Sequence, residues 1–307
     1  MRPLIYAWPG NEALAAVLAR ELSAEIGQWT MRRFPDGETY VRLLSAPADR
    51  HVVLACGLQQ PDDKCISVYF AASTARELGA RSVGLVTPYL AYMRQDARFN
   101  PGEAVASRTF ARWLSGCVDW LATLDPHLHR HASLSEIYSV PTVVASSTAA
   151  ISRWIVANVA DPLVVGPDAE SVQWVSAVAA AAACPYVVLQ KTRHGDASVA
   201  IEIPRIADAW RTRTPVLVDD IISTARTLAT AVSHLRAAGM PAPVCIGVHA
   251  LFRADALQAL QAAGARQIVT CNSIAHATSA IDVLPDVARA AQDLFIKTVA
   301  PDTRAGV

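Results

Sequence analysis

VLVDDIISTARTL, residues Val216–Leu228, reads as a strand, a loop and the start of a helix. Val216, Leu217 and Val218 form an apolar strand, Asp219 and Asp220 stand at its end, and Ser223–Thr227 lead into a helix beginning near Leu228. In open α/β sheets, ligands sit beyond the carboxyl ends of strands, where loop amides and helix starts converge. Threonine hydroxyls and successive backbone amides in such a loop can cradle a phosphate, helped by the positive end of the helix dipole. Adjacent carboxylates would repel that phosphate. Their better use is to accept hydrogen bonds from vicinal sugar hydroxyls or to bind magnesium, so one sugar phosphate satisfies both ends of the segment. The spacing alone is equally compatible with a plain helix N-cap, with Ser223 or Thr224 capping and the aspartates exposed at a strand end.

Outward from this segment, short apolar strand candidates alternate with stretches of helical period, the signature of an α/β fold with mainly parallel sheets. After the loop, Leu228, Ala231, Val232 and Leu235 make an apolar stripe, Gly239 ends it, and PVCIGVHALF is the next strand. The same grammar occurs earlier: Val68, Ala71, Ala72, Ala75 and Leu78 lie at helical spacing, Gly79 is the stop, and SVGLVTPY is a buried strand. CVDWLATLDPH in the first half answers RQIVTCNSI in the second, which predicts one αβ plan used twice. PTVVASSTAA, residues 141–150, is the expected boundary, giving domains 1–145 and 146–307. DVARAAQDLFIKTV predicts an amphipathic terminal helix through Val287, Ala290, Ala291 and Leu294, which can pack on either domain.

Composition narrows the function. Lysine plus arginine balance aspartate plus glutamate at 27 each, which removes the basic excess expected of nucleic-acid binding. No apolar run approaches the roughly 20 residues of a membrane-spanning helix, and the first residues lack the pattern of a secretory signal, so a cytoplasmic location is expected. The six cysteines form no CxxC pair and are expected to be buried thiols. Small-molecule ligands are the expected partners.

The Val216–Leu228 segment resembles the phosphoribosyl pyrophosphate loop shared by type I phosphoribosyltransferases and ribose-phosphate pyrophosphokinases. That loop usually closes in Thr-Gly-Gly-Thr or Thr-Ala-Gly-Thr, where this chain has Thr224, Ala225, Arg226 and Thr227. Arg226 departs from the pattern at a place where glycine would let backbone approach phosphate closely. Other segments resemble the pyrophosphokinases alone. RRFPDGETYVRL is similar to their early motif, which implies that Phe34, Asp36 and Glu38 reach ATP bound to a neighbouring subunit. TPYLAYMRQDARFNPGE is similar to their next signature, placing Arg94 and Gln95 on the nucleotide, with Asp96 and Arg98 shaping the same surface. LATLDPHLHR resembles an Asp-Leu-His segment, so His127 matches the histidine near the metal and ATP phosphates. If the preceding strand continued, Asp125, His127, His129 and His131 would share one face. VVGPDAESVQW resembles a Pro-Asp-x-Gly segment that makes Asp168 a magnesium ligand. QKTRHGD resembles the catalytic Lys-x-Arg, here Lys191 and Arg193.

The resemblance spans nearly the whole chain and implies two tandem phosphoribosyltransferase-like (Rossmann-like) domains, each a mainly parallel sheet flanked by helices. It implies transfer of the diphosphoryl group of ATP to the anomeric hydroxyl of ribose 5-phosphate, with Mg2+ as cofactor. Asp219, Asp220 and Ser223, Thr224, Ala225, Arg226 and Thr227 would hold ribose 5-phosphate. His127 and Asp168 would place the metal and ATP phosphates, and Lys191 and Arg193 would close over the transferring group. A neighbour's ATP site completed by Phe34, Asp36 and Glu38 implies a homo-oligomer, at least a dimer. A catalytically silent regulatory homologue and a phosphoribosyltransferase are the alternatives.

Overall fold

The protein's structure, a computed structural model, describes residues 1–194, 198–202 and 210–299; the side chains of Glu170, Gln173, 190–194 and 198–202 lie outside that description. The chain forms two compact units, one of Met1–Ser146 together with the last helix, the other Ser147–Val283.

The first unit contains β1 (Leu4–Ala7), α1 (Glu12–Glu21), β2 (Glu25–Ile26), a hairpin of β3 (Trp29–Arg33) and β4 (Thr39–Leu43), β5 (His51–Ala55), α2 (Cys65–Glu77), β6 (Ser82–Thr87), α3 (Ala106–Cys117), β7 (Trp120–Leu124) and β8 (Thr142–Ala145). The second contains α4 (Thr148–Asn158), β9 (Pro162–Gly166), α5 (Val172–Ala181), β10 (Tyr186–Val188), a hairpin of β11 (Gln190–His194) and β12 (Ser198–Glu202), β13 (Thr214–Ile222), α6 (Arg226–Ala237), β14 (Val244–Ala250), α7 (Ala256–Ala262), β15 (Gln267–Cys271) and β16 (Ser279–Ile281). The chain then enters α8 (Leu284–Val299), which packs on α1, β7 and β8 of the first unit.

Each unit is built on a six-stranded sheet, in the orders β2-β1-β5-β6-β7-β8 and β10-β9-β13-β14-β15-β16, and every neighbouring pair within these two sheets is parallel. The orders correspond strand for strand, and each unit inserts its hairpin at the same point. β7 and β15, the strands of CVDWLATLDPH and RQIVTCNSI, occupy equivalent places, as do α2–β6 and α6–β14. The central strands are buried on both faces, which explains their unbroken apolar runs.

Local chemistry sets the element limits. Gly79 and Gly239 stop α2 and α6 in left-handed backbone (φ 87° and 80°), which glycine adopts without strain. Leu78 is not part of the α2 stripe: it is the C-cap residue and is 48% exposed. In α8 the stripe is Val287, Ala288, Ala291 and Leu294, with Ala290 only half-buried. Cys56, Cys117, Cys245 and Cys271 are buried thiols, while Cys65 and Cys184 are half-buried. Among the described residues no helix is long and apolar enough to cross a membrane.

Gly84, on β6, allows a close crossing. A Cβ there would lie 1.9 Å from the buried indole of Trp120 on the neighbouring strand. Gly84→Ala is expected to cost about 3 kcal/mol or more, because the ring has no free space to enter. A thermal melt measures this directly.

Candidate active site

The loop of the second unit is built by a strand that outruns its neighbour. β13 pairs with β9 through Leu217↔Val165 but stays in register with β14 as far as Ile222↔Ala250. Asp219 and Asp220 therefore lie within the strand, not at its end, because β14 continues to supply hydrogen-bond partners beyond the reach of β9. Asp168 follows β9, the adjacent strand, in extended backbone (φ −162°), and the Ser171 hydroxyl donates to its carbonyl at 2.6 Å. The strand end stays tight because Gly166 has no side chain: a Cβ there would meet Ser171 Oγ at 2.3 Å.

The neighbouring carboxylates act on Asp219. Burial pushes the Asp219 carboxyl well above the ordinary carboxylate range, and the charges of Asp220 and Asp168 add to the push. The Asp220 amide donates to Asp219 Oδ1 at 3.1 Å. The charges of Asp220 and Asp168 both reach Asp219, and a hard cation bound among these carboxylates would relieve that repulsion.

The helix start is not the plain N-cap that the spacing also allowed. α6 begins at Arg226, two residues before Leu228, and its N-cap is Ala225, held left-handed at φ 58° and ψ 7° with no side-chain cap hydrogen bond. Neither Ser223 nor Thr224 caps the helix, so its first-turn amides are uncapped by side chains and suited to an anion. No acidic residue stands in that first turn, and exposed Arg226 adds positive charge at the positive pole of the helix. Without an anion this arrangement is mildly unfavourable, by about 0.3–1 kcal/mol. The backbone that favours glycine is at Ala225; Arg226 is right-handed and unstrained.

The Ala225 methyl is buried against the core formed by Leu228, Val232 and their neighbours. Ala225→Gly relieves left-handed strain but loses about 0.8 kcal/mol of methyl burial, so its expected effect on stability is under about 1 kcal/mol. Ala225→Val puts a β-branched residue into left-handed backbone and should cost about 2 kcal/mol or more. Melting temperatures of the two variants separate these outcomes.

Lys191 and Arg193 lie on β11, opposite Ile201 and Val199 of β12. Their side chains are outside the described residues.

In the first unit, Phe34, Asp36 and Glu38 form the turn of the β3–β4 hairpin. Gly37 takes φ 93°, the Phe34 amide donates to the Glu38 carbonyl at 2.8 Å, and the Glu38 amide donates to Asp36 Oδ1 at 3.2 Å. The Arg32 guanidinium lies over the rings of both Phe34 (4.4 Å) and Tyr40 (4.5 Å). Arg33 pairs with Asp63 at 3.1 Å, tying the hairpin to the loop after β5. These contacts hold an exposed turn in one shape.

The loops after adjacent strands β6 and β7 bring two motifs together. Asp96, whose side chain is fully buried, accepts from Arg130 at 2.7 Å, and the Arg130 guanidinium lies 5.2 Å from the centre of the Phe99 ring. Arg94 is exposed, and the carbonyl of half-buried Gln95 accepts from the Ser107 amide at 3.2 Å. Arg130 was the missing partner: it stands in the quoted LATLDPHLHR segment, but only tertiary structure pairs it with a residue 34 positions away. The shared face that a continued strand would give Asp125, His127, His129 and His131 does not form, because β7 ends at Leu124 and Asp125 turns into left-handed backbone (φ 33°). His131 is buried, with Nδ1 3.2 Å from Glu136, whereas the rings of His127 and His129 stack edge-on at 3.8 Å.

Residues 4–117 match the family described as the N-terminal domain of ribose phosphate pyrophosphokinase, and residues 133–286 match the phosphoribosyl transferase domain. The chain is 34% identical over 280 residues to a ribose-phosphate pyrophosphokinase of Methanopyrus kandleri, covering 90% of this chain and 94% of that one. It is 27% identical over 301 residues to the enzyme of that name from Methanobrevibacter smithii, covering 94% and 100%. Its fold is similar to the crystal structure of phosphoribosylpyrophosphate synthetase from Mycobacterium smegmatis, with a TM-score of 0.81 at 22% identity over 96% of this chain and 99% of that one. With its two like-ordered sheets and the loop after β13, this chain belongs to the ribose-phosphate pyrophosphokinase family.

Proposed function

We propose that the protein is a ribose-phosphate diphosphokinase, which moves the β,γ-diphosphoryl group of ATP to the anomeric hydroxyl of ribose 5-phosphate and releases AMP. The observation that carries this reading is the start of α6: a left-handed Ala225 and side-chain-uncapped amides immediately downstream of Asp219 and Asp220. The amides and the Ser223–Thr227 loop take the 5-phosphate, Arg226 adds charge, and the carboxylates accept hydrogen bonds from the ribose hydroxyls. The nucleophile is the sugar's own oxygen, so no covalent enzyme intermediate is required, and catalysis rests on positioning and charge neutralisation.

Phe34, Asp36, Glu38, Arg94, Gln95 and His127 are the proposed ATP contacts. Because the hairpin turn serves a neighbouring subunit in this reading, the active species is at least a dimer, located in the cytoplasm. Mg2+ fits the oxygen donors around Asp219, with Asp168 as its proposed ligand and His127 proposed beside the metal-bound ATP phosphates. Its chemistry would be neutralisation of phosphate charge.

The test is AMP release from ATP and ribose 5-phosphate with magnesium. Formation of AMP and phosphoribosyl pyrophosphate supports the reading. A folded sample that binds nucleotide without forming AMP identifies a silent homologue, and transfer of a phosphoribosyl group to a nucleobase identifies a phosphoribosyltransferase.

A further inference from the structure

The loop that follows β14 is joined to the phosphate loop through the main chain. The Leu251 amide donates to the Ile222 carbonyl at 3.0 Å, and the Arg253 amide donates to the Ser223 carbonyl at 3.1 Å. Ser223 is the first residue of the proposed phosphate cradle, so Arg253 is bonded directly to its rim.

The platform beneath Arg253 is firmly held. His249, near the end of β14, is buried, and its Nδ1 lies 3.0 Å from Ser273 Oγ. The Ser273 hydroxyl donates to the Val248 carbonyl at 2.6 Å. That donation uses the serine's only proton, so His249 Nδ1 is the donor in this pair. The Phe252 ring packs on His276 at 4.8 Å. Arg253 itself is exposed, and among the described residues its side chain has neither a hydrogen bond nor an ion pair.

An uncommitted guanidinium on a rigid support beside an anion cradle has a clear electrostatic use. We infer that Arg253 is a further ribose 5-phosphate-binding residue, whose guanidinium holds the 5-phosphate against the Ser223–Thr227 loop from the β14 side. Arginine suits this place because its planar fork can bond two phosphate oxygens at once. The inference rests on the proposed function of the loop. It adds a second cation to Arg226, carried by a different element, so the sugar phosphate is held from two directions.

The test is Arg253→Ala in the full chain, read by calorimetric titration with ribose 5-phosphate in the absence of ATP and by the AMP-release assay. Ribose 5-phosphate affinity should fall about tenfold, the effect of one charge-assisted hydrogen bond, while kcat and the KM for ATP stay within about twofold. Arg253→Lys should recover part of the loss, and wild-type ribose 5-phosphate affinity should weaken with added salt more steeply than that of the alanine variant. An unchanged ribose 5-phosphate affinity in a variant that still forms AMP overturns the inference and leaves the proposed function intact. Equal weakening toward both substrates overturns it as well, by exposing a general structural role. Failure of the wild-type chain both to bind ribose 5-phosphate and to form AMP removes both.

Discussion

Lys191→Ala is expected to lower kcat about a thousandfold while changing the KM for ATP only a few-fold, as the role proposed for it, a cation whose charge is matched chiefly in the transition state, requires. Charge develops as the bond between the α- and β-phosphates of ATP lengthens and AMP departs. A residue that meets that charge stabilises the transition state more than bound ATP, and the two kinetic constants separate accordingly. Lys191 stands on β11, in the two-stranded hairpin with β12. Lys191→Arg, which keeps the charge but changes its geometry, should recover only part of the rate. Near-normal turnover in the alanine variant would remove Lys191 from the reaction.

Asp219→Asn should have opposite effects on activity and stability. The carboxylate proposed to accept from the ribose hydroxyls is lost, so ribose 5-phosphate should bind about a hundredfold more weakly, near the upper range for a hydrogen bond to a charged group. The protein free of substrate and metal should nevertheless melt higher at neutral pH. Asp219 has its folded-state pKa raised by burial and then by the neighbouring carboxylates. Below its ordinary value of 3.8 the group is neutral in both folded and unfolded chains, and the substitution removes no charge. Above that value the unfolded chain ionises first, the folded chain binds more protons, and stability falls as pH rises toward the raised folded pKa. The advantage of asparagine should therefore be absent under acid conditions and grow with pH. Thermal melts across a pH series, without magnesium or substrate, check the sign; a gain independent of pH would point to packing.

The alternation of apolar strands and helices was legible because parallel strands buried on both faces leave unbroken Val, Leu and Ile runs, as in Val216–Val218 and SVGLVT. The extent of β13 was not: Asp219 and Asp220 have poor strand propensity, and only the partner β14 keeps them extended. The cap of α6 was not legible either. Ser223 and Thr224 are good capping residues by type, but the left-handed turn at Ala225 moves the cap past them. Single-residue chemistry at the candidate site could be read from motifs, whereas the Arg130–Asp96 pair and the Arg253–Ser223 bond join segments distant in sequence. Local patterns carry no record of such pairings.

The position of α8 bears on how the chain acquires its structure during synthesis. Phe295 packs edge-on against His51 and Trp120, Gln292 donates to the Glu21 carbonyl, and Val287, Ala291 and Leu294 are buried. The first unit is thus discontinuous, and the helix that covers β7 and β8 leaves the ribosome only after the whole of the second unit. Residues 147–283 can complete their sheet as an uninterrupted stretch, while the earlier unit waits with part of its apolar surface uncovered. The core of the half that is made first therefore cannot close completely until the whole of the second has been made.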